Sequence, residues 1–436
     1  MFFSFDRKIS SFISKKIYCN TVHSPLTSFR ETKYRQQCKK QGSIIMNSKK
    51  FAVLISIVSI SGFSQGMLLP LIAVIFENDG LSSSLNGLNA VGLYMGILLI
   101  SPFMEYPLRK YGYKPVIVFG GLVVILSLAL FPLWKSFWFW FLLRLFIGIG
   151  DHSLHFATQT WITTASPIEK RGRNISLYGV FFGIGFAVGP LLTPLVKVNE
   201  SLPFILSSIM CFIAWIFILW IKNDFPEQTV ETNSFLDTMK RFSSAMKYAW
   251  IAFLPPLAYG FLESSLNSSF PVYGLRIDLS VVQISLLLTA FSIGAIVFQL
   301  PLGMISDKFG RRRTLVTILI IGTTCFSFAS ILEAYLIGLI ICLFLAGMAV
   351  GSTFSLGISY MTDLVPTNLL PTGNLLCGMA FSVGSLIGPY LGGVFIQYFQ
   401  HISYFIVIAA ILFVVCSIIF IFGKKESRNH YLTEAK

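Results

Sequence analysis

Apolar positions along this chain come in long unbroken runs, not in strict alternation or one-sided helical stripes. Short clusters of glycine, proline and charge separate them. A helix needs roughly 20 such residues to cross the hydrocarbon core, because lipid offers no partner to an exposed peptide group. Runs near 51–76, 84–104, 115–133, 137–164, 174–196 and 202–221 pass that test. A second set follows near 248–273, 281–304, 314–332, 335–362, 373–397 and 401–422. The pattern predicts an all-α membrane protein of twelve spans, the long fourth, seventh and tenth being tilted or bent.

The polar positions set the orientation. If the chain before the first span is cytoplasmic, twenty Lys and Arg fall on that side and only Lys135, Lys197 and Arg276 on the other. Basic loops stay inside, so both termini are expected in the cytoplasm and the chain in the plasma membrane. The divisions follow: 49–222 and 248–424 as two six-helix bundles, 223–247 as a cytoplasmic linker and 425–436 as a tail. Residues 1–48 are polar, basic and aperiodic, without an apolar stretch fit for a cleaved signal. They read as a basic cytoplasmic arm or as a mis-assigned start. The second is preferred, because Met46-Asn47-Ser48-Lys49-Lys50 itself resembles a natural beginning.

Composition excludes other classes. Charged residues make up 12 % of the chain against 55 % hydrophobic, whereas soluble domains carry about 25 % charged residues. The net charge of +14 suggests nucleic acid, but eleven Lys and Arg against two acids in the first 50 residues account for much of it. The rest lies in short loops, so no nucleic-acid partner is expected. The seven cysteines form no CxxC pair and the histidines no metal spacing, so neither metal nor cofactor is expected. Trp134, Trp138, Trp140 and Trp220 fall near predicted interfaces and read as anchors.

The two halves repeat. Gly62-Phe63 corresponds to Gly260-Phe261, Gly112 to Gly310 and Leu145-Phe146 to Leu343-Phe344 at an offset of 198, and Gly189-Pro190 to Gly388-Pro389 at 199. A near-constant offset over four markers predicts parallel duplication, with a site near mid-membrane between the halves.

Gly303-Met304-Ile305-Ser306-Asp307-Lys308-Phe309-Gly310-Arg311-Arg312-Arg313 resembles the signature loop of the major facilitator superfamily, and the resemblance covers roughly residues 47–424. It implies a gate role for Gly303, Asp307, Gly310, Arg311 and Arg312. The first-half copy keeps Lys110, Gly112 and Lys114, but Arg109 stands where the aspartate belongs, and an i,i+4 pair of Glu105 with Arg109 is the expected substitute. Gly185-Phe186-Ala187-Val188-Gly189-Pro190 resembles the GxxxGP motif of proton-coupled antiporters. Gly384, Gly388 and Pro389 repeat it in the eleventh span, which fits plain helix packing equally well.

Ionisable residues at membrane depth are costly and mark sites by default. Three lie well inside the spans: Arg144, Asp151 and Glu263. At 100° per residue, Arg144, Asp151 and His155 share one face of the fourth helix. That face reads as a proton relay or anion-binding surface, or as a static Arg144 to Asp151 pair with His155 as a packing residue. His152 lies off it and reads as structural. Glu263 sits mid-span in the seventh helix with Asn267 one turn on, and its repeat partner is Gln65 in the first. The first and seventh helices line the central cavity in the family, so the resemblance places Gln65 and Glu263 across it from each other.

The expected function is a secondary transporter, acting as a monomer in the lipid bilayer, that moves a small organic solute by alternating access driven by a proton gradient. Efflux is favoured over uptake of a sugar or organic acid. A non-transporting membrane sensor is the remote alternative, and no motif supports an enzyme.

Overall fold

The computed structural model describes residues 48–166, 168–226, 235–366 and 369–423. The basic arm, the tail and part of the linker lie outside them. The first half holds α1 (Ser48–Asn78), α2 (Ser83–Ile100), the short α3 (Glu105–Tyr111), α4 (Tyr113–Leu130), α5 (Phe137–Ala165), α6 (Ile168–Val188) and α7 (Leu202–Leu219). The linker carries α8 (Phe235–Ala249). The second half holds α9 (Leu254–Arg276), α10 (Val281–Phe309), α11 (Arg311–Ile331), α12 (Leu336–Val350), α13 (Thr353–Leu364), α14 (Leu370–Tyr398) and α15 (Tyr404–Phe422). Counting α12 and α13 as one interrupted span and setting α3 and α8 aside, these are the twelve expected from the hydrophobic runs.

Local chemistry sets several boundaries. Ser280 and Gln283 form a reciprocal capping box at the start of α10, and the Ser82 hydroxyl accepts from the Leu85 amide before α2. Between α10 and α11 the chain turns at Gly310 with φ of 98°, and between α3 and α4 at its repeat partner Gly112 with φ of 86°. A side chain at either would be strained, because its Cβ crowds the backbone at positive φ. The fifth span passes from α-helix into a 3₁₀ stretch (Gly189–Lys197) at Pro190, whereas α14 continues through Pro389. The tenth span is broken at Gly351 and Ser352, between α12 and α13.

Within each half the GxxxGP glycines let two helices touch backbone to backbone. A Cβ on Gly185 would collide with the Ser59 carbonyl of α1, and one on Gly384 with the Leu257 carbonyl of α9. Between halves, α2 packs on α14, α10 on α6, and α1 on α9. The end of the molecule opposite the basic loops is tied across the halves. There Arg276 Nε meets Glu77 Oε1 at 2.8 Å, the Ser84 amide donates to Gln397 at 3.4 Å, and the Thr289 hydroxyl donates to the Ala187 carbonyl at 3.0 Å.

One expected anchor is corrected. Trp134, Trp138 and Trp220 are exposed, as interfacial anchors should be, but Trp140 is buried. Its indole donates to the Phe131 carbonyl at 3.2 Å and its ring packs on Phe76 and Phe204. An indole that finds a carbonyl inside the bundle gains nothing from the interface.

Candidate functional site

Among the described residues, ten spans are long and apolar enough to cross a membrane by length and composition. The two helices that are long enough yet too polar are α5, with 29 residues, and α9, with 23. They are the helices that carry Arg144, Asp151 and His155, and Glu263 and Asn267. The polar cost of the fold is thus concentrated in one helix of each half.

On α5 the shared face divides between two neighbours. Asp151 is buried and accepts a hydrogen bond from the Ser61 hydroxyl of α1. The same hydroxyl lies 3.0 Å from His155 Nε2, and His155 Nδ1 lies 2.6 Å from the Tyr178 hydroxyl of α6. Asp151, Ser61, His155 and Tyr178 therefore form one chain of exchangeable protons across three helices. Gln65, one turn along α1 from Ser61, lies beside the same carboxyl. A cavity of about 20 Å³ inside the first bundle, lined in part by Ser61, Asp151, Cys211 and Trp215, adjoins this carboxyl. That is room for one water.

Arg144 turns the other way. It has no exposed surface, and Nε, Nη1 and Nη2 all lack a hydrogen-bond partner among the described residues. The static pair with Asp151 is not formed. Tyr94 of α2, itself buried, is close enough to interact electrostatically with both Arg144 and Glu263. His152 is apart from this group, with Nε2 3.0 Å from the Ser101 hydroxyl.

On α9, Asn267 donates to the backbone carbonyl of Glu263 at 2.8 Å, not to its carboxyl. Among the described residues no cation pairs with Glu263. Ser61, Tyr94 and Tyr178 are the members of this constellation that sequence reasoning missed. Ser61 carried a faint signal, lying four residues before Gln65 on the same face of one helix. Nothing in the sequence marks Tyr94 or Tyr178 among the sixteen tyrosines.

The signature loop is in place at the basic end. Arg311 pairs with Asp307 one turn back, donates to the Ser306 hydroxyl at 2.5 Å, and has Nε 3.6 Å from Asp363 of α13. Arg312 donates to the Phe420 carbonyl at 2.5 Å, fixing α11 to the last turn of α15. In the first half, where the aspartate is missing, Asp224 comes in from beyond α7 and meets the end of the loop through its backbone. Its carboxylate takes Lys50 Nζ at 2.6 Å and the Trp161 indole at 2.8 Å, and its carbonyl takes the Tyr113 amide at 3.0 Å. The Glu105 side chain, and with it the expected pair with Arg109, lies outside what the structure describes.

A sequence profile described as Major Facilitator Superfamily matches residues 54–283 and 253–436. The chain belongs to the major facilitator superfamily. It is 55 % identical over 361 residues to an uncharacterized MFS-type transporter, YfkF of Bacillus subtilis (strain 168), covering 83 % of this chain and 92 % of that protein. A more distant relative, the uncharacterized MFS-type transporter YcaD of Salmonella heidelberg (strain SL476), is 22 % identical over 333 residues, 75 % of this chain and 84 % of that one. Among solved structures the fold is similar to the nucleoside transporter NupG, with a TM-score of 0.70 at 16 % identity over 87 % of this chain and all of that one. It is also similar to a bacterial homolog of the lysosomal transporter Spinster, inward-facing and unoccupied, with a TM-score of 0.63 at 14 % identity over 85 % of this chain and 95 % of that one. The protein is therefore a multi-pass membrane transporter of this superfamily, and a small-molecule substrate follows from that membership.

Proposed function

We propose that this superfamily member is a proton-coupled secondary carrier, acting as a monomer, that moves a small organic solute by alternating access. The observation that carries the reading is the hydrogen-bonded chain Asp151, Ser61, His155 and Tyr178 inside the first bundle, with a second acid, Glu263, on the seventh span. A carboxyl at membrane depth is held at least cost with a proton on it, and it can release that proton when a change of packing admits water. Hydroxyl, imidazole and phenol groups can pass a proton between helices because each both donates and accepts.

The placement of basic residues supports cytoplasmic termini in the plasma membrane. With that orientation, the ties at Glu77, Ser84 and Thr289 close the outer side. Export of the solute against an entering proton is the direction we assign, on the resemblance of the Gly185 to Pro190 segment to antiporter sequences.

Reconstituted vesicles with an imposed pH gradient test this, using solutes selected by thermal stabilisation of the purified protein. Asp151→Asn and Glu263→Gln should each abolish pH-driven movement while leaving the folded protein intact. Unchanged pH-driven transport in both variants would overturn the coupling. Comparing inside-out with right-side-out vesicles decides between export and uptake.

A further inference from the structure

Among the described residues Arg144 is the one Lys or Arg with no exposed surface, and the structure leaves all three of its guanidinium nitrogens without a partner. Asp151, two turns away on the same helix, is occupied by Ser61. Glu263 forms no ion pair with the guanidinium among the described residues. In the second half the equivalent position is Cys342, which needs no partner at all.

A guanidinium that merely pins helices together donates to a carboxylate or to carbonyl oxygens, and breaking such a pair is what makes its loss destabilising. Five N–H donors buried with no acceptor are the opposite case: the chain bears the cost of burial without the return. No described residue supplies the group that would balance it. A planar fork of donors fits two oxygens of one oxyanion in a bidentate pair, a geometry that lysine cannot reproduce. The position of Arg144 also suits a ligand. It lies two turns below the start of α5 at Phe137, on the helix that packs through Gly148 and Leu93 on α2, and α2 in turn packs on α14 of the other half. The guanidinium thus lies beneath the contact that closes when the two halves meet at the far end.

We propose that Arg144 is the anion-binding group of the carrier's central site, so that the transported solute is an organic anion held through a carboxylate, phosphate or sulfonate group. Tyr94 lines the same place and offers its hydroxyl to the bound oxyanion. This rests on the reading of the protein as a carrier with a site between its halves.

The test uses the full chain in lipid nanodiscs and follows thermal unfolding with acetate, benzoate and methanesulfonate, each set against its neutral counterpart: acetamide, benzamide and methanesulfonamide. At saturation at least one anion should raise Tm by about 2 °C or more, its counterpart having no such effect. Arg144→Gln should abolish that rise while unfolding, without ligand, at the same temperature as the parent or higher, since it removes an unbalanced charge. Arg144→Lys should keep a reduced rise. Three results overturn the proposal: no anion exceeds its counterpart, the rise survives in Arg144→Gln, or Arg144→Gln lowers the ligand-free Tm as loss of a structural ion pair would. Proton-driven transport that persists while no anion binds would remove the anion assignment and leave the coupled-carrier reading standing. Anion binding without coupling would do the reverse.

Discussion

The fourth span of the first half and its repeat partner in the second began as the same helix and now differ in almost every respect that matters. The first, α5, runs unbroken for 29 residues and carries Arg144, Asp151 and His155 on one face. At the same offset of 198 the second half has Cys342, Ala349 and Thr353, and the span breaks between α12 and α13. Charge at membrane depth must be held by neighbours, and the first half has recruited Ser61, Gln65, Tyr94 and Tyr178 to surround it. Without charge to hold, the second half is free to interrupt the helix at Gly351 and Ser352. Duplication supplied the scaffold, and divergence concentrated titratable chemistry in one copy. The backbone contacts that let helices approach remained common to both.

That division predicts where the halves will respond alike. Gly185→Leu and Gly384→Leu each force a side chain into a carbonyl of the neighbouring helix, Ser59 in one case and Leu257 in the other. Both should lose stability by about 3 kcal/mol or more, since overpacking against backbone leaves no side chain to move aside. Thermal unfolding in detergent measures it. Equal losses identify GxxxGP as a packing device in both halves. An unperturbed Tm in Gly185→Leu beside a large loss in Gly384→Leu would refute the symmetry of the two seams.

The fold was legible because its causes are local or repeated. Hydrophobic runs long enough to cross lipid announce helices, and Gly112 and Gly310 announce turns whose positive φ the structure shows. The candidate site was legible only as a list of costly residues. That Asp151 would join His155 through Ser61, and that Arg144 would turn to Tyr94, depends on which helix faces which, and a hydroxyl or phenol at membrane depth costs too little to stand out. Asp224, far along the chain, meets the end of the first-half loop with its carbonyl and holds Lys50 with its carboxylate, and no local reading can find a partner so distant.

The closure between halves gives a smaller and more selective effect. Arg276 and Glu77 come from the outer ends of α9 and α1, their side chains 33 % and 15 % exposed, and Arg276 also donates to the Ile396 carbonyl at 3.3 Å. A partly buried pair of this kind contributes about 1 kcal/mol, which shifts a two-state population about fivefold. Arg276→Gln should move the carrier towards the state open at that end, and more strongly than the double change Arg276→Gln with Glu77→Gln, because the single change leaves Glu77 half-buried and unpaired. Spin-label distances between the outer ends of α1 and α9 report the shift. An unchanged distance distribution in the single variant would show that the ion pair does not set the equilibrium.

The contrasting case is Lys135, in the loop between α4 and α5, which meets Asp79 and Glu200 at 2.8 Å each. All three belong to the first half, so this brace does not cross the closure. Burial acts to lower the Lys135 ammonium, but hydrogen bonds and charge from Asp79 and Glu200 outweigh it and hold the group above its ordinary value of 10.5. The sign follows: with its folded value raised, the stability it contributes is complete below 10.5 and fades only as pH climbs through the higher folded value. Across neutral pH the lysine therefore stays charged and its brace intact. Its side chain is 38 % exposed, so Lys135→Ala should cost no more than about 0.5 kcal/mol, and less in high salt. The same spin-label distances should not move. A shift as large as that of Arg276→Gln would mean that a brace within one half controls the meeting of the two, and the separation of bundle stability from bundle closure would fail.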